Sequence, residues 1–199
     1  MSKADTREKI MVAARSVFSE KGYRRSSVED ILKRAHVARA TFYKYFRDKR
    51  QVYLELVRGL LFTISDEASS YLVDEAGAKE MEQVLYSSLT TFYGFLLNNR
   101  GMFLSLLPEM FGEDPALQAT WDEFARRMIG VFENVLQRGI ERGEFRELQP
   151  RRVSRALLLV LFQAPFNELI MAGAPDVNVE AIANEMVNLA LYGIVARNT

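Results

Sequence analysis

The run ARATFYKYF, residues 38–46, has the side chains best suited to binding chemistry. Phe42 and Phe46 stand four residues apart, which places both on the inner side of a predicted helix. The outer side then presents two bases, one hydroxyl and two phenols, at Arg39, Thr41, Tyr43, Lys44 and Tyr45. This mixture suits the phosphate oxygens and base edges of a DNA major groove.

Individual side chains of this outer face have different expected tasks. Arg39 and Thr41 are the best candidates for reading bases, since a guanidinium can bind guanine with two hydrogen bonds. A phenol can lay its ring on a sugar and donate to a phosphate. Tyr43 and Tyr45 are therefore expected to contact the DNA backbone rather than to fill the core.

Further polar residues flank the run. Lys44 and Lys49 are expected to hold phosphates. Ser26 and Ser27 lie at a predicted helix N-terminus, where hydroxyl or amide contacts to phosphate are expected. His36 lies in the turn beside the run, and a phosphate contact or a role in turn geometry is favoured there over a metal or catalytic role.

The elements that position this face are short and local. Ser27 can accept a hydrogen bond from the amide of Asp30, so the segment VEDILKRA is predicted to be a helix that begins after an N-cap. Its apolar stripe at helical spacing is formed by Val28, Ile31, Leu32 and Ala35. The pattern breaks at His36 before helical spacing resumes. The sequence therefore predicts a helix, a turn and a second helix.

The charge of the chain is distributed unevenly. The formal net charge is zero. Residues 1–50, however, carry 14 Lys and Arg against 6 Asp and Glu, so the remaining residues are acidic overall. A basic head on an acidic body attracts a polyanion to one face only. An isolated basic cluster is usually a solvated face, but this one coincides with the helix, turn and helix.

The composition argues against catalysis. The chain has no cysteine, one histidine, no glycine-rich phosphate loop and no cluster of carboxylates on an apolar face. We therefore expect no enzyme activity, no metal site and no cofactor. The first residues lack an apolar signal core, and the longest apolar run, residues 156–162, is too short to span a bilayer. A cytoplasmic protein without membrane contact is expected.

Every periodic segment favours a helix, so an all-α fold of about nine helices is predicted. The first helix should bury Ile10, Ala14 and Phe18 and end at Gly22 in a left-handed cap. Asp48 is expected to open a long fourth helix that carries the chain from the basic head into the body.

Four more helices are predicted, over residues 81–98, 114–143, 150–173 and 179–195. The first of these is expected to end at NNRG, residues 98–101, and no element is predicted between there and Asp114. Asp114 should cap the second as its N-cap, and Trp121 should lie on the inner side of that helix.

The last two helices are apolar over more than one stripe. A nine-helix monomer has too little surface to cover both, so a homodimer through these helices is the economical solution. Leu159 and Leu189 are expected at outward positions in that interface. A fully buried central helix in a monomer is the alternative.

The body is rich in soft and aromatic side chains, which are usually core but are also the candidates for an effector cavity. The candidates are Phe62, Tyr86, Tyr93, Phe103, Met110, Trp121, Phe124, Met128, Phe162, Gln163, Phe166 and Asn167. Gln163 and Asn167 lie around Pro165, which frees the carbonyl of Leu161. The two amides could satisfy the freed groups, pair across a dimer or face a ligand.

The chain resembles the N-terminal DNA-binding domain of the TetR/AcrR family of bacterial transcriptional regulators over residues 6–60. The resemblance lies in the elements that occur in order as Phe18, Gly22, Tyr23, Ser27, Val28, Ile31, the run Thr41 to Phe46, Asp48, Lys49 and Leu54. The family often has Gly where this chain has His36, and Ser and Gly where it has Ala38 and Ala40. Histidine tolerates a left-handed turn better than most residues.

The resemblance implies a dimeric regulator, in this family most often a repressor, that binds a palindromic operator in double-stranded DNA and is released by a small apolar or aromatic effector. Residues 1–50 would form the DNA-binding domain and residues 51–199 the effector-binding and dimerisation domain. The positions expected to face DNA are Ser26, Ser27, His36, Ala38, Arg39, Ala40, Thr41, Tyr43, Lys44, Tyr45 and Lys49. The alternatives are a non-catalytic small-ligand-binding protein that has lost its operator, and an enzyme with a sparse site.

Overall fold

The computed structural model describes residues 3–72, 78–110, 114–163, 165, 167–172 and 177–194. These residues form helices and no β-strand, which confirms the predicted all-α class. The helices are α1 (Lys3–Lys21), α2 (Val28–Ala35), α3 (Arg39–Tyr43), α4 (Lys49–Leu72), α5 (Ala78–Asn98), α6 (Arg100–Met110), α7 (Pro115–Glu141), α8 (Pro150–Leu158) and α9 (Val179–Ile194). Two π-helical turns, Leu159–Gln163 and Asn167–Ala172, lie between α8 and α9.

Two compact units make up the chain. The first contains residues 1–61 and 99–121, and the second contains residues 62–98 and 122–199. Helices α4 and α7 contribute residues to both units. The division at residue 50 expected from the sequence concerns function and stays a prediction.

Helix α1 forms the centre of the first unit. Ile10, Ala14 and Phe18 are completely buried on one side of it, and α1 packs against both α2 and α6. The Gly22 amide donates to the Phe18 carbonyl at 2.9 Å, and Gly22 has a φ of 77°, which confirms the predicted left-handed end. The predicted inner face and end of the first helix are therefore both correct.

Helix α6 was not predicted from the sequence. The expected stop at residues 98–101 is a one-residue interruption, after which Met102 and Phe103 donate to the Asn99 carbonyl at 2.9 and 3.2 Å and start a new helix. Gly101, which the sequence suggests as a helix end, is instead required by packing. A Cβ atom on Gly101 would lie 2.7 Å from the Cβ of Ser19 on α1.

Helices α4 and α7 begin with the caps that the sequence predicts. The Gln51 amide donates to the Asp48 carboxylate at 2.7 Å, and the Ala116 amide donates to the Asp114 carboxylate at 2.9 Å. Trp121 departs from the expectation for α7, because its side chain is 37% exposed rather than turned inward.

In the second unit, α5 packs against α9 and the second π-helical turn. The Leu161 carbonyl, four residues before Pro165, has lost its usual helical donor because proline has no N–H. The hydroxyl of Tyr93 on α5 replaces that donor at 2.9 Å. The side chains of Gln163 and Asn167, expected as candidates for this role, lie outside the described residues. Tyr93 is completely buried, so this bond fixes the first π-helical turn to α5.

We predict that Gly101→Ala lowers the free energy of unfolding by about 1–3 kcal/mol, because the added methyl group overpacks the contact between α1 and α6. Gly59→Ala is the matched control, since no atom outside its own helix lies within 4 Å of a Cβ at that exposed helical position. Alanine there should raise the stability by about 0.5–1 kcal/mol. Urea denaturation measures both changes, and equal effects of the two substitutions would contradict the proposed close packing.

Candidate nucleic-acid interface and ligand cavity

Helix α2 begins with a reciprocal capping box. The Asp30 amide donates to Ser27 Oγ at 3.2 Å, and the Ser27 amide donates to Asp30 Oδ2 at 2.9 Å. The Lys21 ammonium donates to the other carboxylate oxygen at 2.5 Å. These contacts, led by Lys21, lower the pKa of Asp30 from 3.8 to about 2. The predicted N-cap is confirmed, and the cap also ties the end of α1 to the start of α2.

The turn between α2 and α3 is set by His36. This residue has φ 54° and ψ 45°, a left-handed conformation, and its amide donates to the Leu32 carbonyl. The Val37 amide donates to the same carbonyl at 3.3 Å. His36 therefore occupies the position at which glycine is usual, and its side chain is exposed.

Helix α3 has only five residues and is held in place by its buried side. Phe42 and Phe46 are buried, as predicted, and the Arg7 guanidinium of α1 lies 5.1 Å from the centre of the Phe46 ring. After Tyr43 the backbone tightens, since the Lys44 and Tyr45 amides donate to carbonyls three residues back. The predicted second helix is thus shorter than the run that indicated it.

The outer side of α3 carries the expected polar set. The exposed members are Ala38, Arg39, Ala40, Tyr43 and Lys44, and the half-buried members are Thr41 and Tyr45. Seven of the positions expected to face DNA are therefore exposed or half-buried around the buried Phe42. A surface of this kind can bind phosphates through its lysine and phenols and reach base edges through Arg39 and Thr41.

Glu29 also lies beside this face, and the sequence analysis did not single it out. The Arg39 guanidinium donates to the Glu29 carboxylate, and both side chains are more than half exposed. An exposed pair of this kind contributes at most about 1 kcal/mol, so it is readily exchanged for a nucleic-acid partner.

Lys49 and Ser26 lie in a different environment from that expected. The Lys49 ammonium donates to the carbonyls of Tyr23 and Ser26 at 2.7 and 2.8 Å and lies 4.3 Å from the centre of the Tyr23 ring. Burial lowers its pKa. Ser26 is buried, and its hydroxyl donates to the Tyr23 carbonyl at 2.7 Å. These two residues stabilise the loop between α1 and α2, while Ser27 caps α2.

Two ion pairs connect the loop after α1 and the start of α4 to α6 and to the residue that caps α7. Arg24 donates to Glu109 at 2.7 Å, and Arg50 makes two bonds to Asp114 at 2.6 and 2.7 Å. The Arg50 guanidinium, together with the capping amides of α7, lowers the pKa of Asp114. The paired residues are 64 or more positions apart in the sequence. Apart from their opposite charges, nothing in the sequence therefore predicts that they pair.

The second unit contains a cavity of about 30 Å³ between α4, α5, α7 and the first π-helical turn. Its lining residues are Ile64, Glu67, Ala68, Leu85, Ser88, Leu89, Thr91, Phe92, Met128, Phe132, Leu161 and Phe162. The Phe162 ring lies 4.3 Å from that of Phe92 and 5.9 Å from that of Phe124. The walls are therefore mainly aromatic and aliphatic.

The effector candidates from the sequence are only partly brought together. Met128 and Phe162 line the cavity, and Phe124 and Tyr93 are buried close to its wall. Tyr86 lines a separate, open depression with Glu82 and Asn184.

The remaining effector candidates are placed elsewhere. Phe103 and Trp121 belong to the first unit. The Phe62 ring lies under the Arg127 guanidinium, 4.3 Å away. Phe166 and the side chains of Met110, Gln163 and Asn167 lie outside the described residues.

Large apolar side chains are exposed on the last helical segments. They are Leu159, Met171, Leu189 and Tyr192, with exposures between 57 and 82%. Leu159 and Leu189 therefore face outward, as expected for positions that a partner would cover.

The described residues show neither of two other kinds of site. None of the described helices is long and apolar enough to cross a membrane. In the same ranges, no three acidic or histidine side chains lie close enough together to hold a metal ion.

Comparison with known proteins gives a consistent set of likenesses. Residues 10–56 match the model of the bacterial regulatory proteins of the tetR family. The chain is 23% identical to the fatty acid metabolism regulator protein of Bacillus subtilis over 93% of both chains. Such relatives are named as transcriptional regulators rather than as enzymes.

Solved structures share the fold. The fatty acid degradation regulator FadR of Bacillus halodurans superposes with a TM-score of 0.79 at 22% identity, covering 97% of this chain and 98% of that one. FadR of Bacillus subtilis, in complex with stearoyl-CoA, superposes with a TM-score of 0.71 at 21% identity, covering 94% of this chain and 98% of that one. At these identities the likeness concerns the arrangement of helices.

We predict that Asp30→Asn weakens the acid sensitivity of the first unit. A carboxyl group with a lowered folded-state pKa contributes stability above its unfolded value of 3.8, and this contribution disappears as the pH falls towards about 2. Asparagine keeps an acceptor for the Ser27 amide but loses the charge. The melting temperature of the variant should therefore be lower than that of the unmodified protein at pH 7, and it should fall less between pH 4 and pH 2. Glu8→Gln, at an exposed acid of α1, is the control and should reproduce the wild-type profile.

We predict that Lys44→Ala and Lys49→Ala affect DNA binding differently. Removing a phosphate contact at Lys44 should flatten the slope of log affinity against log salt by about one unit and leave the melting temperature unchanged. Lys49→Ala should lower the melting temperature, because two loop carbonyls lose their donor, and should keep the wild-type slope. Fluorescence anisotropy at several salt concentrations measures the slopes. A flattened slope for Lys49→Ala with no loss of stability would return Lys49 to the phosphate contact expected from the sequence.

Proposed function

We propose that this chain, which belongs to the tetR family of bacterial regulatory proteins, is a dimeric repressor that binds a palindromic operator and is released by a small, largely apolar effector. The observation that carries the proposal is the exposed face of α3. Arg39, Tyr43 and Lys44 project from a helix whose opposite side, Phe42 and Phe46, is locked in the core. No such face is needed by a protein that only carries a ligand.

The parts of the face have separate tasks in DNA binding. Arg39 and Thr41 read bases in the major groove, and Arg39 leaves Glu29 to do so. Tyr43, Lys44 and Tyr45 contact the backbone and set the register. His36 and Ser27 hold the turn and the cap on either side of α2, and Lys49 and Ser26 keep the preceding loop in position.

The palindromic operator follows from a two-fold dimer. The exposed apolar side chains around Leu159 and Leu189 are the surface that a second copy would cover, since large apolar patches are rare on monomers. Two recognition helices related by a two-fold axis contact two half-sites about one turn of DNA apart, roughly 34 Å or a multiple. Residues 1–50 then form the DNA-binding domain and residues 51–199 the effector-binding and dimerisation domain, with α6 supporting the former.

The effector role rests on the cavity of the second unit. Its volume of about 30 Å³ holds a water molecule or two, whereas small-molecule sites usually measure about 300–1,000 Å³. An effector must therefore push the walls apart. Ile64, Glu67 and Ala68 belong to α4, whose first residues include Lys49 and Arg50, so a ligand that displaces this helix changes the spacing that the operator requires.

The names of related proteins support an apolar effector. A relative is a fatty acid metabolism regulator, and a structural neighbour binds stearoyl-CoA. An acyl chain is one example of a ligand that the aromatic and aliphatic walls of this cavity would accept.

We predict that selection from a pool of random duplexes recovers a palindromic sequence, and that Arg39→Ala weakens binding to it by about 1–3 kcal/mol. The variant should also relax the choice of base at one position in each half-site, because a base contact is lost. Lys44→Ala is the control and should weaken operator and random DNA by the same factor. Quantitative footprinting measures all three proteins. If no sequence is enriched by the unmodified protein, the operator-binding function is wrong, and the chain is better described as a ligand-binding protein.

A further inference from the structure

The polar side chains of the cavity come from two of the four segments that line it. Glu67 comes from α4, and Ser88 and Thr91 come from α5, whereas α7 and the π-helical turn contribute only apolar side chains. A site with one polar side and one apolar side fixes the orientation of an amphiphilic ligand. The chemistry of the polar side then determines which head group fits.

The Ser88 hydroxyl lacks a partner within the described part of the chain. Its oxygen is buried and makes no hydrogen bond there, although a helical serine usually donates to a carbonyl of the preceding turn. A buried hydroxyl left unpaired costs about 1–3 kcal/mol. Ser88 therefore gains from any ligand, or water, that brings a hydrogen-bonding group into the cavity.

The Glu67 carboxylate determines the charge of the polar part of the cavity. An ionised carboxylate only accepts hydrogen bonds. In the described residues it has no ion-pair partner, and none of the lining side chains is basic. Arg127 lies one residue before Met128 but is already shared by Asp66 at 3.3 Å and Glu123 at 3.8 Å. The polar side of the cavity is consequently acidic.

We infer that the cavity takes an amphiphile with an alkyl or aryl body and a protonated amine. The ammonium group would donate to Glu67 and Ser88, and the body would lie against Phe92, Met128 and Phe162. A ligand with a carboxylate head group would place two negative charges next to each other, which is unfavourable. This inference rests on the proposed function for the role of the cavity and specifies the class of ligand.

The first π-helical turn gives the cavity a means of opening. Leu161 and Phe162 lie on this turn, and π-helical turns are often found at functional sites because the extra residue loosens the helical repeat. The Tyr93 bond to the Leu161 carbonyl holds one end of the wall, and the Phe162 ring packs against the rings of Phe92 and Phe124. Rotation of Phe162 is the simplest way to admit a chain.

Three probes of equal length test the inference: decylammonium, decanol and decanoate, each below its micelle concentration. Calorimetry on the DNA-free protein should show that decylammonium binds about tenfold more tightly than decanol, as one charge-assisted hydrogen bond would produce, and that decanoate binds most weakly. Glu67→Gln should bring decylammonium and decanol to within about threefold of each other while decanol binding is retained. Glu82→Gln, at an exposed acid of α5 that lines the separate depression, is the control and should keep the wild-type order.

The order of the three probes on the unmodified protein tests the inference even if Glu67→Gln fails to fold. Decanoate binding as tightly as decylammonium, an unchanged order in Glu67→Gln, or no binding of any probe would each overturn it. Release of operator DNA, measured in parallel, separates this inference from the proposed function. Decylammonium that binds in the expected order without releasing operator supports the ligand class and refutes the effector role. Decanoate that binds tightly and releases operator supports the effector role and refutes the ligand class.

Discussion

The bond between Arg50 and Asp114 joins the starts of the two longest described helices, α4 and α7. Asp114 accepts two hydrogen bonds from Arg50 and at the same time caps α7 through the Ala116 amide. The start of α4 and the start of α7 are thereby joined at one carboxylate. Further along the chain, these two helices supply Ile64, Glu67 and Met128 to the cavity.

Burial, rather than surface charge, holds the recognition helix. A helix of five residues has no independent stability in water. Phe42 and Phe46 are buried, and loss of a buried phenylalanine side chain costs about 3–5 kcal/mol, whereas an exposed ion pair such as that of Arg39 and Glu29 contributes about 1 kcal/mol or less. The inner side is therefore fixed while the outer side stays exposed.

The cavity shows why the fold does not determine the ligand. Solved structures of similar fold share the arrangement of helices, and a fold does not by itself select a ligand. The choice of head group, however, depends on one carboxylate and one hydroxyl, Glu67 and Ser88, on otherwise apolar helix faces.

The sequence by itself determined what depends on neighbours within one helical turn. The Ser27 and Asp114 caps, the left-handed Gly22 and the inward Phe42 and Phe46 all follow from spacing of four residues or fewer, so local chemistry settles them. The exposed polar side chains of α3 could be predicted for the same reason.

Only the tertiary structure decided contacts between distant segments. The Lys49 ammonium donates to carbonyls more than twenty positions away in the sequence. The Tyr93 hydroxyl donates to the Leu161 carbonyl, 68 positions away. The sequence predicts a helix end at residues 98–101 and misses α6. Gly101 is required there by its packing against Ser19 on α1, which local sequence does not show. The exposed Trp121 and the acidic side of the cavity likewise depend on which helix faces pack together. Periodicity tells which face of a helix is apolar, but the partner of that face is selected by the packing of the whole unit.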